Sequence, residues 1–210
     1  MIVVGAKGFA IQLHDVLFRL NETKNLIFYD NINNDLPEKF LENYQIIRKE
    51  TAIQSHLTTS DDKRFVLGLG GPKNRENLYY KFKGWGGIPH TVVSKDAIIG
   101  AFKVSIGEGT CILANSIIES TVTIGKGTLI NIGVLITHNS TIGNFCEIAP
   151  TVKILGNSTI GNNVFIGTGA IIFPGLHIGD NSIIGAGSIV TKSVKPFQKV
   201  IGIPAKPKDE

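Results

Sequence analysis

Residues 116–142 read Ser116-Ile117-Ile118-Glu119-Ser120-Thr121-Val122-Thr123-Ile124-Gly125-Lys126-Gly127-Thr128-Leu129-Ile130-Asn131-Ile132-Gly133-Val134-Leu135-Ile136-Thr137-His138-Asn139-Ser140-Thr141-Ile142, with isoleucine at every sixth position. The register extends without a slip from Ile106 to Ile184 and ends on Val190, fifteen consecutive positions. Two residues before each stands a small or β-branched residue, from Val104 and Thr110 to Ser182 and Ser188. Internal repetition of this kind must be explained before any single motif. A six-residue unit makes a short strand with two inward positions around one outward residue, because strand side chains alternate. The aliphatic fills a narrow interior and the small residue leaves room for it. Gly107, Gly125, Gly143, Gly161 and Gly179 recur at every third unit, each just after an inward Ile, where a sharp corner suits a residue without a Cβ. Three units then close one triangular coil, and fifteen units predict five coils of a parallel β-helix, a prism about 24 Å tall.

Outward from that stretch, composition sets limits. The chain has 210 residues, a net charge of +4, 18% charged residues and 24 glycines. This argues against disorder and coiled coils. Most aromatic rings precede residue 94, and residues 94–193 are electrically balanced. No basic stripe supports nucleic-acid binding. No apolar run approaches the roughly 18 residues of a membrane span, and MIVVGAKG has neither the basic start nor the cleavage site of a secretory leader. A soluble, cytoplasmic protein is expected. Two cysteines make no disulfide framework and no zinc pattern. Cys146 takes an inward small-residue position, and Cys111 precedes inward Ile112 and faces outward, so both are read as structural.

Residues 1–93 have another character. Ile2-Val3-Val4 reads as a buried strand, followed by a Gly-rich turn, Gly5-Ala6-Lys7-Gly8-Phe9-Ala10, and a helix to about Leu20. Leu26–Asp30 and Arg64–Gly70 read as further strands, with a helix over residues 73–83. Strands alternating with helices indicate a small parallel sheet. A Gly-rich turn between strand and helix lets backbone amides approach a phosphate, although Lys7 and Ala10 replace two glycines of the dinucleotide fingerprint.

The six-residue pattern resembles that of the left-handed β-helix acyltransferases, and handedness comes from that resemblance. The ending Ala186-Gly187-Ser188-Ile189-Val190-Thr191-Lys192, then Gly202-Ile203-Pro204-Ala205-Lys206, is similar to the way these enzymes finish the prism and close over acyl-coenzyme A. Together the two halves resemble the sialic-acid O-acetyltransferase-like family, whose members N-acetylate nucleotide-activated 4-amino-4,6-dideoxy sugars. The resemblance implies an α/β half-Rossmann-like domain over 1–93 for the nucleotide sugar. It implies a left-handed parallel β-helix over 94–193 for acetyl-CoA, and a tail over 194–210. It further implies a homotrimer with acetyl-CoA at the junction of two subunits, in a pathway supplying surface polysaccharide.

Carried over by position, Gly5, Lys7 and Gly8 would line the phosphates. Asp30 and Asn31 would contact the nucleoside, and Gly68 and Gly70 would let the chain pass close beneath it. His138, two residues after inward Ile136, falls where the family keeps its catalytic histidine and is expected to be the general base. His177 points outward and is read as a surface or subunit contact. Gly156, one full coil after His138, would present its N–H to the thioester oxygen. Gly167, Thr168, Gly185 and Ala186 would bed the pantetheine arm, and Lys206 would meet the cofactor phosphates. Two positions depart from the family pattern. Asn139 replaces the usual Glu or Asp after the base, so it orients the ring without offering charge. Glu147 stands nine residues on, where some members carry a second histidine. It is expected to face outward and to supply the missing carboxylate across a subunit interface.

Three other functions are compatible in part. An O-acetyltransferase would act on a sugar hydroxyl, a poorer nucleophile that depends more on a strong base. A noncatalytic nucleotide-sugar-binding scaffold would keep the first domain's ligand alone. A γ-type carbonic anhydrase needs three histidines around zinc. His138 and His177 are separated by more than two coils and cannot meet at one level of the prism, and no metal is expected.

Overall fold

The computed structural model describes residues 1–208. The chain opens with β1 (Ile2–Val4), α1 (Gly8–Arg19), β2 (Ile27–Tyr29), β3 (Lys39–Phe40), β4 (Tyr44–Ile47), α2 (Glu50–Thr59), β5 (Arg64–Leu67), α3 (Pro72–Gly84) and β6 (Ile88–Pro89). These strands form one sheet in the order β3-β4-β2-β1-β5-β6, parallel except for the β3–β4 pair. Helices cover both faces, so β1 is apolar throughout and wholly buried. α1 turns Ala10, Leu13, Val16 and Leu17 inward, the spacing that gives a helix one apolar stripe. The chain proceeds outward from β1 through β2 and β4, then returns to lay β5 on the other side. Such a reversal opens a crevice at the carboxyl ends of the strands. The sequence reading left residues 31–63 without elements; β3, β4 and α2 occupy them.

The β-helix follows as three parallel sheets. The first face carries strands from Val92–Val93 through Cys111–Ile112, Leu129–Ile130, Glu147–Ile148 and Phe165–Ile166 to Ile183–Ile184 and Lys199–Gly202. The second runs from Ile98–Ile99 through Ile117–Ile118, Leu135–Ile136, Lys153–Ile154 and Ile171–Ile172 to Ile189–Val190. The third runs from Ser105–Ile106 through Thr123–Ile124, Thr141–Ile142 and Thr159–Ile160 to His177–Ile178. Consecutive strands on each face pair with a register of one three-unit coil, as Leu135 does with Ile117 and Lys153. The inward column from Ile112 to Val190 is at most 1% exposed, while Ile106 at the open end is partly covered.

Two details differ from expectation. The prism continues below the five predicted coils, because Val93 and Ile99 also pack on its core. One extra residue between Ile99 and Ile106, beside Lys103 at φ 50°, breaks the six-residue register there. The recurring glycines also serve another purpose than a left-handed corner. At Gly125 a Cβ would lie 2.6 Å from the carbonyl carbon of Gly143, so the limit is close stacking of coils. Positive φ falls instead on three other columns that repeat once per coil, one of them Thr121, Asn139, Asn157 and Gly175.

The first domain sits on the first face. Cys111 and Leu129 point out of the prism yet are buried in one apolar cluster with Ala10, Leu13 and Leu17 of α1. Cys111 is therefore covered rather than surface-facing, and burial pushes its thiol pKa up. Burial likewise raises the Cys146 thiol, to about 12. Among the described residues no helix is long and apolar enough to cross a membrane, and no three His, Cys, Asp or Glu converge as metal ligands.

Candidate active site

His138 lies where the second face turns into the third, and its side chain is exposed. The inward pull of Ile136 and the left-handed conformation of Asn139, φ 58°, throw the intervening residue out at the corner. Directly above, Gly156 lies flat against the ring: a Cβ there would be 2.8 Å from His138 Cε1 and 3.0 Å from Nε2. The Gly156 N–H meets no acceptor among the described residues. Asn139 holds the corner more than the ring. Its Oδ1 accepts from Thr121 Oγ1 at 2.8 Å, and its Nδ2 reaches Asn157 Oδ1 at 3.2 Å but His138 Nδ1 only at 3.4 Å.

A carboxylate does stand at this corner, and sequence reasoning missed it. Glu119 Oε2 accepts the backbone N–H of His138 at 2.8 Å, and both residues line a depression of about 370 Å³ with Ile98, Gly100, Ile117 and Ser120. The signal was available, since Glu119 follows inward Ile118 one coil earlier, as Thr137 follows Ile136.

Glu147 is elsewhere. It projects from the first face into the junction with the first domain, where its Oε2 accepts the N–H of Gly71 at 2.5 Å. The carboxylate is thus engaged within its own chain, which corrects the expectation that it reaches across to a neighbouring subunit.

The second concavity, about 210 Å³, opens at the carboxyl ends of β1, β2 and β5. Gly5, Lys7, Asp30, Asn31, Gly68 and Gly70 all line it, whereas Gly8 does not; it begins α1. Asp30 is a buried latch more than a free ligand. Its carboxylate accepts N–H groups from Ala6 at 3.1 Å, Ile32 at 3.1 Å and Asn33 at 3.0 Å, and the Asn33 side chain at 2.8 Å. Burial alone would raise its pKa, but these donors, Asn33 foremost, outweigh it and hold the carboxyl below its ordinary value. Lys7 reaches over the mouth to Asp35 at 3.0 Å. Tyr29, also in the lining, has a buried hydroxyl without a hydrogen-bond partner among the described residues. Burial, then the charges of Glu50 and Asp30, raise its pKa to about 12, so it stays a neutral donor. Such an orphaned donor beside a cavity fits a ligand that brings acceptors.

The residues expected to bed acetyl-CoA divide between two edges. Gly167, Thr168, Gly185 and Ala186 stack on the corner between first and second faces, with Thr168 and Ala186 exposed. Gly156 is with His138 on the opposite edge of the second face. Lys206 lies exposed on the last strand, paired antiparallel to Ile201.

Residues 1–82 match the model described as the PglD N-terminal domain. Residues 139–174 match bacterial transferase hexapeptide (six repeats), and 158–192 the hexapeptide repeat of succinyl-transferase. The whole chain superposes on a histidine-to-asparagine variant of perosamine N-acetyltransferase from Caulobacter crescentus, solved with CoA and GDP-perosamine. The two are 25% identical over 100% of this chain and 96% of that one, with a TM-score of 0.92. The chain thus joins a PglD-type amino-terminal domain to hexapeptide repeats of the bacterial transferase type. WeeI from Acinetobacter baumannii AYE is similar too, at 29% identity over 99% of this chain and 98% of that one, TM-score 0.90. The acetyltransferase domain of PglB from Neisseria gonorrhoeae FA1090, in complex with acetyl coenzyme A, is 21% identical, covers 99% and 98% and has a TM-score of 0.88, a likeness of fold. No curated protein matches the sequence. In this chain, then, a PglD-type domain carries one cavity, and a prism corner carries a solvent-open imidazole.

Proposed function

We propose that the protein transfers an acetyl group from acetyl-CoA to the amine of a nucleotide-linked amino sugar. The amine of a 4-amino-4,6-dideoxy sugar is the acceptor its family resemblance favours. The observation that carries this reading is an exposed imidazole backed by Gly156 in a chain whose full length superposes on an enzyme solved with CoA and GDP-perosamine. The amino-terminal sheet domain holds the nucleotide sugar, the prism from Val92 onward holds the thioester, and the segment after Gly202 closes over the cofactor.

A thioester is already activated, so one step suffices. The amine nitrogen attacks the thioester carbon, and the carbonyl oxygen gains negative charge facing the Gly156 N–H. The C–S bond then breaks. His138 takes the proton the nitrogen loses and passes it to the departing thiolate. Gly5, Lys7 and the α1 N-terminus face the diphosphate, and Asp30 keeps the Gly-rich turn in place for it.

Because the base and the expected pantetheine bed occupy opposite edges of the second face, we place the site between two subunits of a homotrimer. The outward residues of that face support this: Ile98, Ile117, Leu135, Ile171 and Ile189, broken only by Lys153. Acetyl-CoA and nucleotide sugars put the reaction in the cytoplasm.

The test is thiol release from acetyl-CoA with UDP-, dTDP- and GDP-linked amino sugars, repeated with His138→Ala. Loss of a general base lowers the rate by about 10²–10⁴-fold. Release that survives the substitution removes His138 from that role, and acetylation of a hydroxyl in the product would reassign the acceptor.

A further inference from the structure

The cavity of the first domain is gripped from the prism through α3. This helix has no acid in its first turn and no side-chain cap of its own. Helix N-termini leave N–H groups unpaired and favour negative charge beside them. The prism provides both needs through one residue: Glu147 Oε2 accepts from Gly71, the residue preceding Pro72, at 2.5 Å. The fit is close, since a Cβ on Gly70 would lie 3.0 Å from either carboxylate oxygen.

One turn into α3, Arg75 makes the return contact. Its guanidinium is completely buried. Nε donates to the carbonyl of Gly127 in the prism at 2.8 Å, while Nη1 donates to Leu69 at 2.7 Å and Leu67 at 3.1 Å. Nη2 has no hydrogen-bond partner among the described residues. A buried cation of this kind is costly unless its surroundings are fixed. Gly68, Leu69, Gly70 and Leu78, which line the cavity, all belong to the segment that these two residues hold.

We propose that Glu147 and Arg75 are positioning residues that lock the Gly68–Leu78 wall of the cavity to the prism. They thereby set acceptor affinity and the reach of its amine toward the thioester. The proposal rests on the cavity being the nucleotide-sugar site.

The test uses the full chain. Calorimetry measures binding of UDP, dTDP and GDP, kinetics measure KM for the amino sugar and for acetyl-CoA, and hydrogen exchange follows the amides of residues 69–78. For Glu147→Ala, diphosphate affinity falls and acceptor KM rises by about tenfold or more, with faster exchange confined to that segment. Glu147→Gln keeps an acceptor oxygen for Gly71 and recovers most of the affinity. In both variants KM for acetyl-CoA stays within about twofold and the limbs of the pH profile do not move. Arg75→Lys, which keeps a cation but cannot bond Gly127 and the Leu67 and Leu69 carbonyls together, reproduces the loss should Glu147→Ala fold poorly. Unchanged diphosphate affinity in folded variants overturns the proposal. So does a shifted acidic limb with affinity intact, which would return Glu147 to the chemistry of His138. If the wild type binds none of the three diphosphates, the cavity reading itself fails and takes this proposal with it.

Discussion

Asn139 decides how the imidazole of His138 is held. As held by Thr121 and Asn157, the amide turns Nδ2 toward Nδ1, where it can only donate, and at 3.4 Å it constrains the tautomer weakly. An aspartate can only accept, so it would fix the proton on Nδ1, leave Nε2 free and favour the imidazolium through its charge. Asp also tolerates the left-handed corner. Asn139→Asp should therefore change the acidic limb of kcat/KM in a profile compared with wild type. A static limb would mean that residue 139 does not act on the base through charge. Asp30 illustrates a structural carboxylate. Its four donors have no place for an amide NH₂, so Asp30→Asn should cost about 1–3 kcal/mol and weaken diphosphate binding together with it. The sign with pH follows from its direction of shift: a depressed folded-state pKa stabilises above the unfolded value of about 3.9 and is lost as pH falls below it. Denaturant melts at pH 7 should separate wild type from variant, and the gap should narrow progressively as the pH falls below about 3.9.

Among the secondary-structure elements, the prism was the most legible part because its pattern is local. A strand that shows the same two faces every six residues leaves its mark on every unit, and Ile112 to Val190 are buried as read. The position of His138 was legible for the same reason, as an offset from Ile136. What could not be read depends on contacts between distant segments. Glu147 finds Gly71 far back in the chain, and Cys111 is covered by α1 rather than by its own coil. Neither follows from periodicity, since docking of one domain on another fixes both. Between β2 and α2 the short strands at 39–40 and 44–47 offer too few alternating positions for a pattern. Stacking of coils also gives a prediction. Gly156 lies outside the positive-φ columns, so alanine suits its backbone, but the new methyl would press on the tip of His138. An imidazole can swing aside cheaply, so Gly156→Ala should barely change thermal stability. Displacing the ring by about 1 Å should nevertheless lower kcat/KM by about 10²-fold. A stable variant with full activity would show that the ring need not rest against residue 156.

For the molecule as a whole, the three faces of the prism are unequal. The third presents Ser105, Thr123, Thr141, Thr159 and His177, a surface suited to water, and the first is partly roofed by the amino-terminal domain. The second leaves Ile98 63% and Ile117 39% exposed, with Phe102 and Phe173 beside its strands at 59% and 43%. An apolar strip of this sort, interrupted by Lys153, suits the subunit contact proposed above. In a closed ring of three, each copy meets its neighbour through two different edges. The His138 edge of one chain would then face the Gly167–Ala186 edge of the next, which a single chain cannot bring together. The consequence can be tested by mixing defects. His138→Ala spoils one edge and Ala186→Trp blocks the other, so each variant alone should be inactive. Coexpressed in equal amounts, the two variants would form mixed versions of the proposed homotrimer, each with one junction between an intact imidazole and an intact bed. Random assembly makes three quarters of trimers mixed, so the pool should recover about a quarter of the wild-type rate. Sedimentation should give three chains for every species, and Ile117→Lys in the middle of the apolar strip should reduce both mass and activity. Recovery absent from a properly trimeric mixture would mean that base and thioester are served by one and the same subunit, and the edge-to-edge arrangement would be wrong.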